Sequence, residues 1–229
     1  MQYPNIQRAT FLSRPNRFVA YCRLENGETV RCHVKNTGRC RELLVDNTEG
    51  NCTVLLVKAD SPTRSTLYDL VAVYKGDKLI NMDSSAPNRA AAEFLPRLYP
   101  DLQKLQAEYT WGNSRFDFYA EHPNAKRLIE VKGVTLEEDG NTRFPDAPTL
   151  RGLRHVEELI EARAEGYEAT LLFVVQMEDA IDFSPNDSTQ PAFREALCRA
   201  RDAGVEIIAH RCKVTEDSMT IVDAIPVRI

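Results

Sequence analysis

The chain has 229 residues, 43% of them hydrophobic, and a net charge of −5, which suits one large domain or two modest ones. No run reaches the length of a membrane helix, "MQYPNIQRAT" lacks the apolar stretch of a signal peptide, and six cysteines form no C-x-x-C pair. These features exclude a membrane partner and read as a cytoplasmic protein with reduced, mostly buried thiols; the negative balance weighs against a nucleic-acid coat. A local basic face remains, because residues 1–50 carry eight Lys and Arg against five Asp and Glu.

Residues 1–83 read as strands and turns. "RFVAYCRL" is strand-like and runs into Asn26-Gly27, a strong hairpin signal, after which "ETVRCHV" returns. "NCTVLLVK" and "TLYDLVAVY" are rich in β-branched and aromatic residues, and a Gly76-Asp77 turn leads into "KLINM". Five strands with almost no helix predict a small closed barrel of the OB type, with a small open sandwich as the alternative.

Residues 84–229 read differently. Ser85 stands where an N-cap belongs and Pro87 near the first helical position, and the helix they open runs to about Leu95, where Pro96 interrupts it. "KLQAEYTW", "SRFDFYA" and "RLIEVKGVTL" follow as three strands, and "EEDGNTRFPDAP" as a loop. "TLRGLRHVEELIEARAEG" is an amphipathic helix with Leu153, Val156, Leu159 and Ile160 on one face and Gly166 at its C-terminal cap. "ATLLFVVQ" is a buried strand, "PAFREALCRARDAG" a second helix ended by Gly204, and "VEIIAHRC" another strand. A β-meander followed by alternating helix and strand implies an α+β arrangement passing into α/β, a mixed sheet with helices on its faces.

Alternation places Phe116 and Phe118 on one face of a strand and Asp117 on the other; in the next strand Ile129 and Val131 share a face, Glu130 and Lys132 the opposite one. If the strands pair, two carboxylates and a lysine converge. Such a set can hold Mg²⁺ (or Mn²⁺) through oxygen and hydrolyse a phosphodiester, the lysine orienting water or steadying the developing charge. The competing reading is an ordinary hairpin with a polar outer face and a Glu–Lys pair. Glu93, in the preceding helix, is a candidate third carboxylate and metal ligand, or a solvated helix residue. Gln176 is a candidate catalytic side chain at the edge of the sheet, or merely a strand cap. The element order matches the core of the PD-(D/E)-x-K (restriction-endonuclease-like) nucleases.

Arg17-Phe18, "NTGR" from Asn36 to Arg39, "PNR" with Glu93 downstream, "SRFDF" from Ser114, "EVK" from Glu130 to Lys132 and above all "FPDAPTLRGLRH" from Phe144 to His155 resemble the sugar fermentation stimulation protein (SfsA) family over nearly the whole chain. The pattern departs at Val34-Lys35, where the family has Cys-Pro, at Cys40 for Met, and at Gly133 for Asn. The resemblance implies an OB-like nucleic-acid-binding domain at 1–83 and a nuclease-like domain at 84–229, DNA (or RNA) as partner, and a link to regulation of sugar (maltose) metabolism. It makes Asp117, Glu130 and the Val131 carbonyl direct metal ligands, has Glu93 act directly or through water, makes Lys132 the catalytic lysine, and gives Arg17 and Asn88 to nucleic acid. Arg151, Arg154 and His155 at a helix start suit a phosphate, against a solvated face with a hydrogen-bonded His. Lys35, Asn36 and Arg39 are loop candidates for the DNA backbone, against a tight turn with no ligand. A non-cutting, sequence-nonspecific DNA-binding regulator is the alternative function, and a homodimer is compatible with the sequence.

Overall fold

The structure, a computed structural model, describes residues 1–36, 38, 40, 42–45, 52–59 and 63–229. Arg39 lies outside them. Strands β1 (Ile6–Asn16), β2 (Val19–Leu24), β3 (Thr29–Val34), β4 (Thr53–Lys58) and β5 (Tyr68–Lys75) close into a five-stranded barrel, with β6 (Lys78–Asn81) paired outside the ring to β5. A parallel β3–β5 pairing completes the ring; its other pairings are antiparallel. The period-2 pattern explains why the ring is filled: Ala20, Cys22 and Leu24 of β2 and Val30, Cys32 and Val34 of β3 point inward. Phe11, Leu56, Leu70 and Val73 complete this core. The five strands expected from the sequence are β2 to β6, so the barrel needed a strand that the reading omitted. β1 is a polar, Pro-containing segment with two register shifts against β2, which hides the alternation that marks a strand.

The second part centres on a six-stranded mixed sheet in the order β15-β14-β12-β9-β8-β7, formed by β7 (Lys104–Trp111), β8 (Ser114–Glu121), β9 (Lys126–Val134), β12 (Glu168–Val175), β14 (Glu206–Val214) and β15 (Met219–Ile225). Helix α1 (Ala86–Leu98) packs Ala90, Phe94 and Leu95 with Ile129, Val131, Leu172 and Val174. Helices α2 (Leu150–Ala164) and α3 (Pro191–Asp202) pack Val156, Leu159, Ala196 and Leu197 with Leu128, Leu171 and Phe173. Strict alternation along β12 assigns odd residues to one layer and even residues to the other.

Four expectations are corrected here. Pro96 lies inside α1 rather than ending it, because Ala92, whose carbonyl loses its helical donor, is exposed to water. Ser85 occupies the cap position, but its hydroxyl donates to Asp83 at 2.7 Å and makes no cap. The segment read as a loop holds β10 (Leu136–Glu138) and β11 (Asn141–Phe144), joined by Asp139-Gly140 with both residues at positive φ, and β13 (Asp182–Pro185) adds to β11 in parallel.

The fourth concerns Phe116 and Phe118, which do not share a face. Phe118 and Ala120 of β8, with Leu105 of β7, join the α1 layer; Phe116, Tyr109 and Trp111 join the α2 layer. The change of side falls where the β7–β8 ladder omits the Glu108–Asp117 pair, and Glu108 has φ +57°. A non-glycine residue in the left-handed region is uncommon, and here it turns both strands of the hairpin over at the level of Asp117.

Barrel and sheet share their core and are tied by buried polar bonds. Gln176 donates to the Asn81 carbonyl at 3.0 Å, its side-chain oxygen at 2.9 Å and the Asp83 carbonyl at 3.2 Å. Glu137, at 2% exposure, receives Lys75 at 2.7 Å and Lys78 at 2.8 Å, both from the β5–β6 hairpin.

Candidate active site

The pairing of β8 with β9 runs from Glu121–Lys126 to Phe118–Ile129 and stops. The next two residues, Asp117 and Glu130, stand where the strands part. With its cross-strand partner gone, the Val131 N–H donates to Asp117 Oδ2 at 2.8 Å, while Asn88 of α1 donates to Oδ1 at 2.6 Å. Glu130 is 2% exposed, and its Oε1 receives both Lys132 Nζ and His155 Nδ1. Arg151, one turn earlier on α2, donates from Nε to His155 Nε2 at 3.4 Å, which leaves Nδ1 to carry the hydrogen toward Glu130. Glu130 Oε2 is buried with no hydrogen-bond partner among the described residues.

The electrostatics follow from this arrangement. Burial, then the neighbouring Glu130 charge, raises the Asp117 carboxyl above its ordinary range. Burial pushes Glu130 in the same direction, but Lys132 and His155 outweigh it and hold Glu130 below its ordinary value. Asp117 and Glu130 are thus two like charges kept close, one of them with an unbonded oxygen, a state that a cation stabilises. Mg²⁺ needs one or two carboxylates, its remaining positions being taken by water and substrate phosphate. The donor set fits a hard cation on these terms, although no group of three His, Cys, Asp or Glu side chains gathers around a common point among the described residues.

The other candidates are distributed as follows. Glu93 does not join the acids; its carboxylate takes the N-terminal ammonium of Met1 at 2.7 Å. Gln176 follows β12 directly and gives its side-chain nitrogen to Asn81 and Asp83, with no bond to the acids among the described residues. Lys35 bonds Asp83 at 3.0 Å and Ser85 at 3.3 Å, and Asn36 closes its own loop through the Met82 carbonyl and the Gly38 N–H. Asn88 and His155, expected from the sequence as contacts to nucleic acid, bond the two carboxylates. Arg17 and Arg154 are exposed. The support that His155 gives Glu130 was missed, because no local pattern links residues 25 apart; the burial of a His on the apolar side of α2 was the available signal.

A cleft of about 380 Å³ lies between the two parts. It starts at Gly133, the residue after Lys132, and is bounded by Arg17 and Gly38 of the barrel and by Phe144 to Thr149 of the sheet part. A Cβ on Gly133 would lie 2.7 Å from Pro87 Cγ and closer still to Gln176, so glycine is what allows α1, β9 and Gln176 to meet here.

Fold and site together define a two-part α+β protein: an OB barrel fused to a mixed sheet that carries a buried acid pair where two strands part. The comparisons agree on its place. Residues 12–82 match the SfsA N-terminal OB domain, and residues 85–218 match the sugar fermentation stimulation protein RE domain. A sugar fermentation stimulation protein homolog of Desulfitobacterium hafniense (strain Y51) is 50% identical over 100% of this chain and 99% of its own. One from Clostridium beijerinckii is 47% identical over 99% of each chain. The solved structure titled "The structure of Pyrococcus Furiosus SfsA in complex with Ca2+" is similar with a TM-score of 0.88 at 26% identity, covering 100% of this chain and 98% of that one. The chain belongs to the sugar fermentation stimulation protein family.

Proposed function

We propose that this protein binds nucleic acid and hydrolyses its phosphodiester bonds with Mg²⁺ (or Mn²⁺) held by Asp117 and Glu130, as the PD-(D/E)-x-K nucleases do. The observation that carries the reading is the parting of β8 and β9 at Asp117 and Glu130, with Lys132 beside them and an unbonded Glu130 oxygen. A bound cation supplies polarisation of the phosphate and a more acidic water. Asn88 and the Val131 N–H fix the Asp117 carboxylate. His155, itself held by Arg151, fixes Glu130. Lys132, beside Glu130, would orient the attacking water or steady charge on the phosphate. Glu93 enters only if its pairing with the N-terminus breaks. The Pyrococcus relative's title names Ca²⁺, a hard cation of the same oxygen-ligand preference, and this supports a cation site here.

The second reading is a protein that binds DNA without cutting it. It is favoured by the Lys132–Glu130 pairing and by the lack of a three-ligand cluster among the described residues. Such a binder also accounts for the regulatory sense of the relatives' name. Calorimetric titration of Mg²⁺ and Mn²⁺ into the wild type and Asp117→Ala, with a panel of labelled DNA and RNA, separates the two. Metal binding and cleavage lost in the variant support the nuclease. Equal DNA binding by both proteins, with neither metal uptake nor cleavage, supports the binder. No helix among the described residues is long and apolar enough to cross a membrane.

A further inference from the structure

We infer that the strand entering the site is single-stranded, and that Phe18 stacks one of its bases at the barrel lip of the cleft; this rests on the nucleic-acid reading above. Phe18 lies in the turn between β1 and β2 and is 45% exposed, although phenylalanine ordinarily seeks the core. It belongs to no core cluster. The Arg17 guanidinium lies 4.9 Å from its ring centroid, and Arg17 lines the cleft. Across the cleft, Thr149 lines the opposite lip, and the next residue, Leu150, is 83% exposed. An aromatic face with a guanidinium against it is the pairing that proteins use for unstacked bases, because every base has a π-face and every link between them a negative phosphate.

The size of the cleft favours one strand over two. At about 380 Å³ it falls at the small end of the range of roughly 300–1,000 Å³ for sites that enclose a small molecule, enough for about one nucleotide. A space of that size takes one base with its sugar and phosphate and not a base pair with both of its strands. The charge along the path suits a phosphate chain. Arg17 and Arg143 line the cleft, α2 begins just past the lining residue Thr149 with no acidic residue in its first turn, and Arg17 pairs with no carboxylate among the described residues. The acid within the lining, Asp146, accepts from the Cys40 N–H at 3.1 Å and spans the cleft's two walls instead of facing an incoming strand unbonded. Gly133, in the lining, directly follows Lys132 on β9, so a base held at Phe18 would place its strand within a few residues of the acids.

The test is fluorescence anisotropy on the full chain in EDTA, where binding is read without cleavage. Its probes are fluorescein-labelled oligo(dT) and oligo(U) of about 15 nucleotides, the span of one OB barrel, and a duplex of equal length. A single-stranded probe is expected to bind at least about tenfold more tightly than the duplex. Phe18→Ala and Phe18→Leu should each weaken it about tenfold, and Phe18→Trp should restore it; because the side chain is exposed, none of these should disturb folding. Single-strand binding unchanged in Phe18→Ala, or a tighter duplex, overturns this inference and leaves the nucleic-acid reading standing. No binding of any probe overturns both. Loss in Ala with rescue by Leu reduces Phe18 to an apolar contact and also overturns the stacking role.

Discussion

Two buried glutamates seven residues apart, Glu130 and Glu137, are built from the same materials and hold opposite characters. Glu137 receives two lysines from the barrel and the Gly140 N–H, and these outweigh its burial to hold its carboxyl down to about 2. Every one of its charges is answered. Glu130 has one lysine and a histidine, but a second carboxylate, Asp117, faces it, and one of its oxygens is left without a partner. The first glutamate is a clamp between two domains. The second is an electrostatic debt held in place by its surroundings, which is the state expected of a group that meets a cation. Both count two basic partners; the facing carboxylate and the unanswered oxygen set Glu130 apart.

The comparison is broken most severely by removing an acid from the unanswered site. Asp117→Ala should lower cleavage of labelled nucleic acid by at least about 100-fold and abolish the calorimetric signal for Mg²⁺, while circular dichroism stays unchanged. Removing the answered acid should do the reverse. Glu137→Ala leaves two partly exposed lysines without their carboxylate and is expected to cost about 1–3 kcal/mol in urea unfolding while leaving cation affinity intact.

Smaller effects sharpen the contrast. His155→Ala and Asn88→Ala each remove support from one carboxylate and should weaken Mg²⁺ about 10–100-fold, with His155→Gln recovering part of the loss. The clamp also has a pH signature. Because Glu137 titrates lower in the folded chain than in the unfolded one, its stabilisation is complete above its ordinary carboxyl range and is lost as pH falls toward about 2. The difference in unfolding free energy between the wild type and Glu137→Gln should therefore be constant above pH about 5 and shrink below it. A difference independent of pH over that range would show that packing, not charge, makes Glu137 matter.

What was legible in the sequence was what repeats along it. The apolar stripe of α2, the unbroken run of β12 and the glycines that end α2 and α3 all depend on residues a few positions apart. The barrel was legible for a similar reason, from alternation in β2 and β3. The omissions have physical causes. β1 is interrupted by register shifts. The Asp139-Gly140 turn signal was present, but only three residues pair on either side of it, too few to show a period. β15 puts three exposed or half-exposed residues in a row, Val222 to Ala224, and so breaks alternation. Asp117, Glu130 and Lys132 could be picked out as acids and a lysine among apolar neighbours, but their partners could not. That Asn88 goes to Asp117, His155 to Glu130 and Glu93 to the N-terminus depends on contacts across 25 to 92 residues.

The hairpin that turns over at Glu108 has a bearing on how the protein comes apart. In each of its strands the alternate residues that face one layer before the crossover face the other beyond it (Leu105 against Tyr109, Phe118 against Phe116), so neither layer can melt while the other keeps its full set of side chains. Amide protons in α1 and in α2 should therefore exchange through one common opening instead of two independent ones, and the acid pair, seated at the crossover, would be lost only when both layers go.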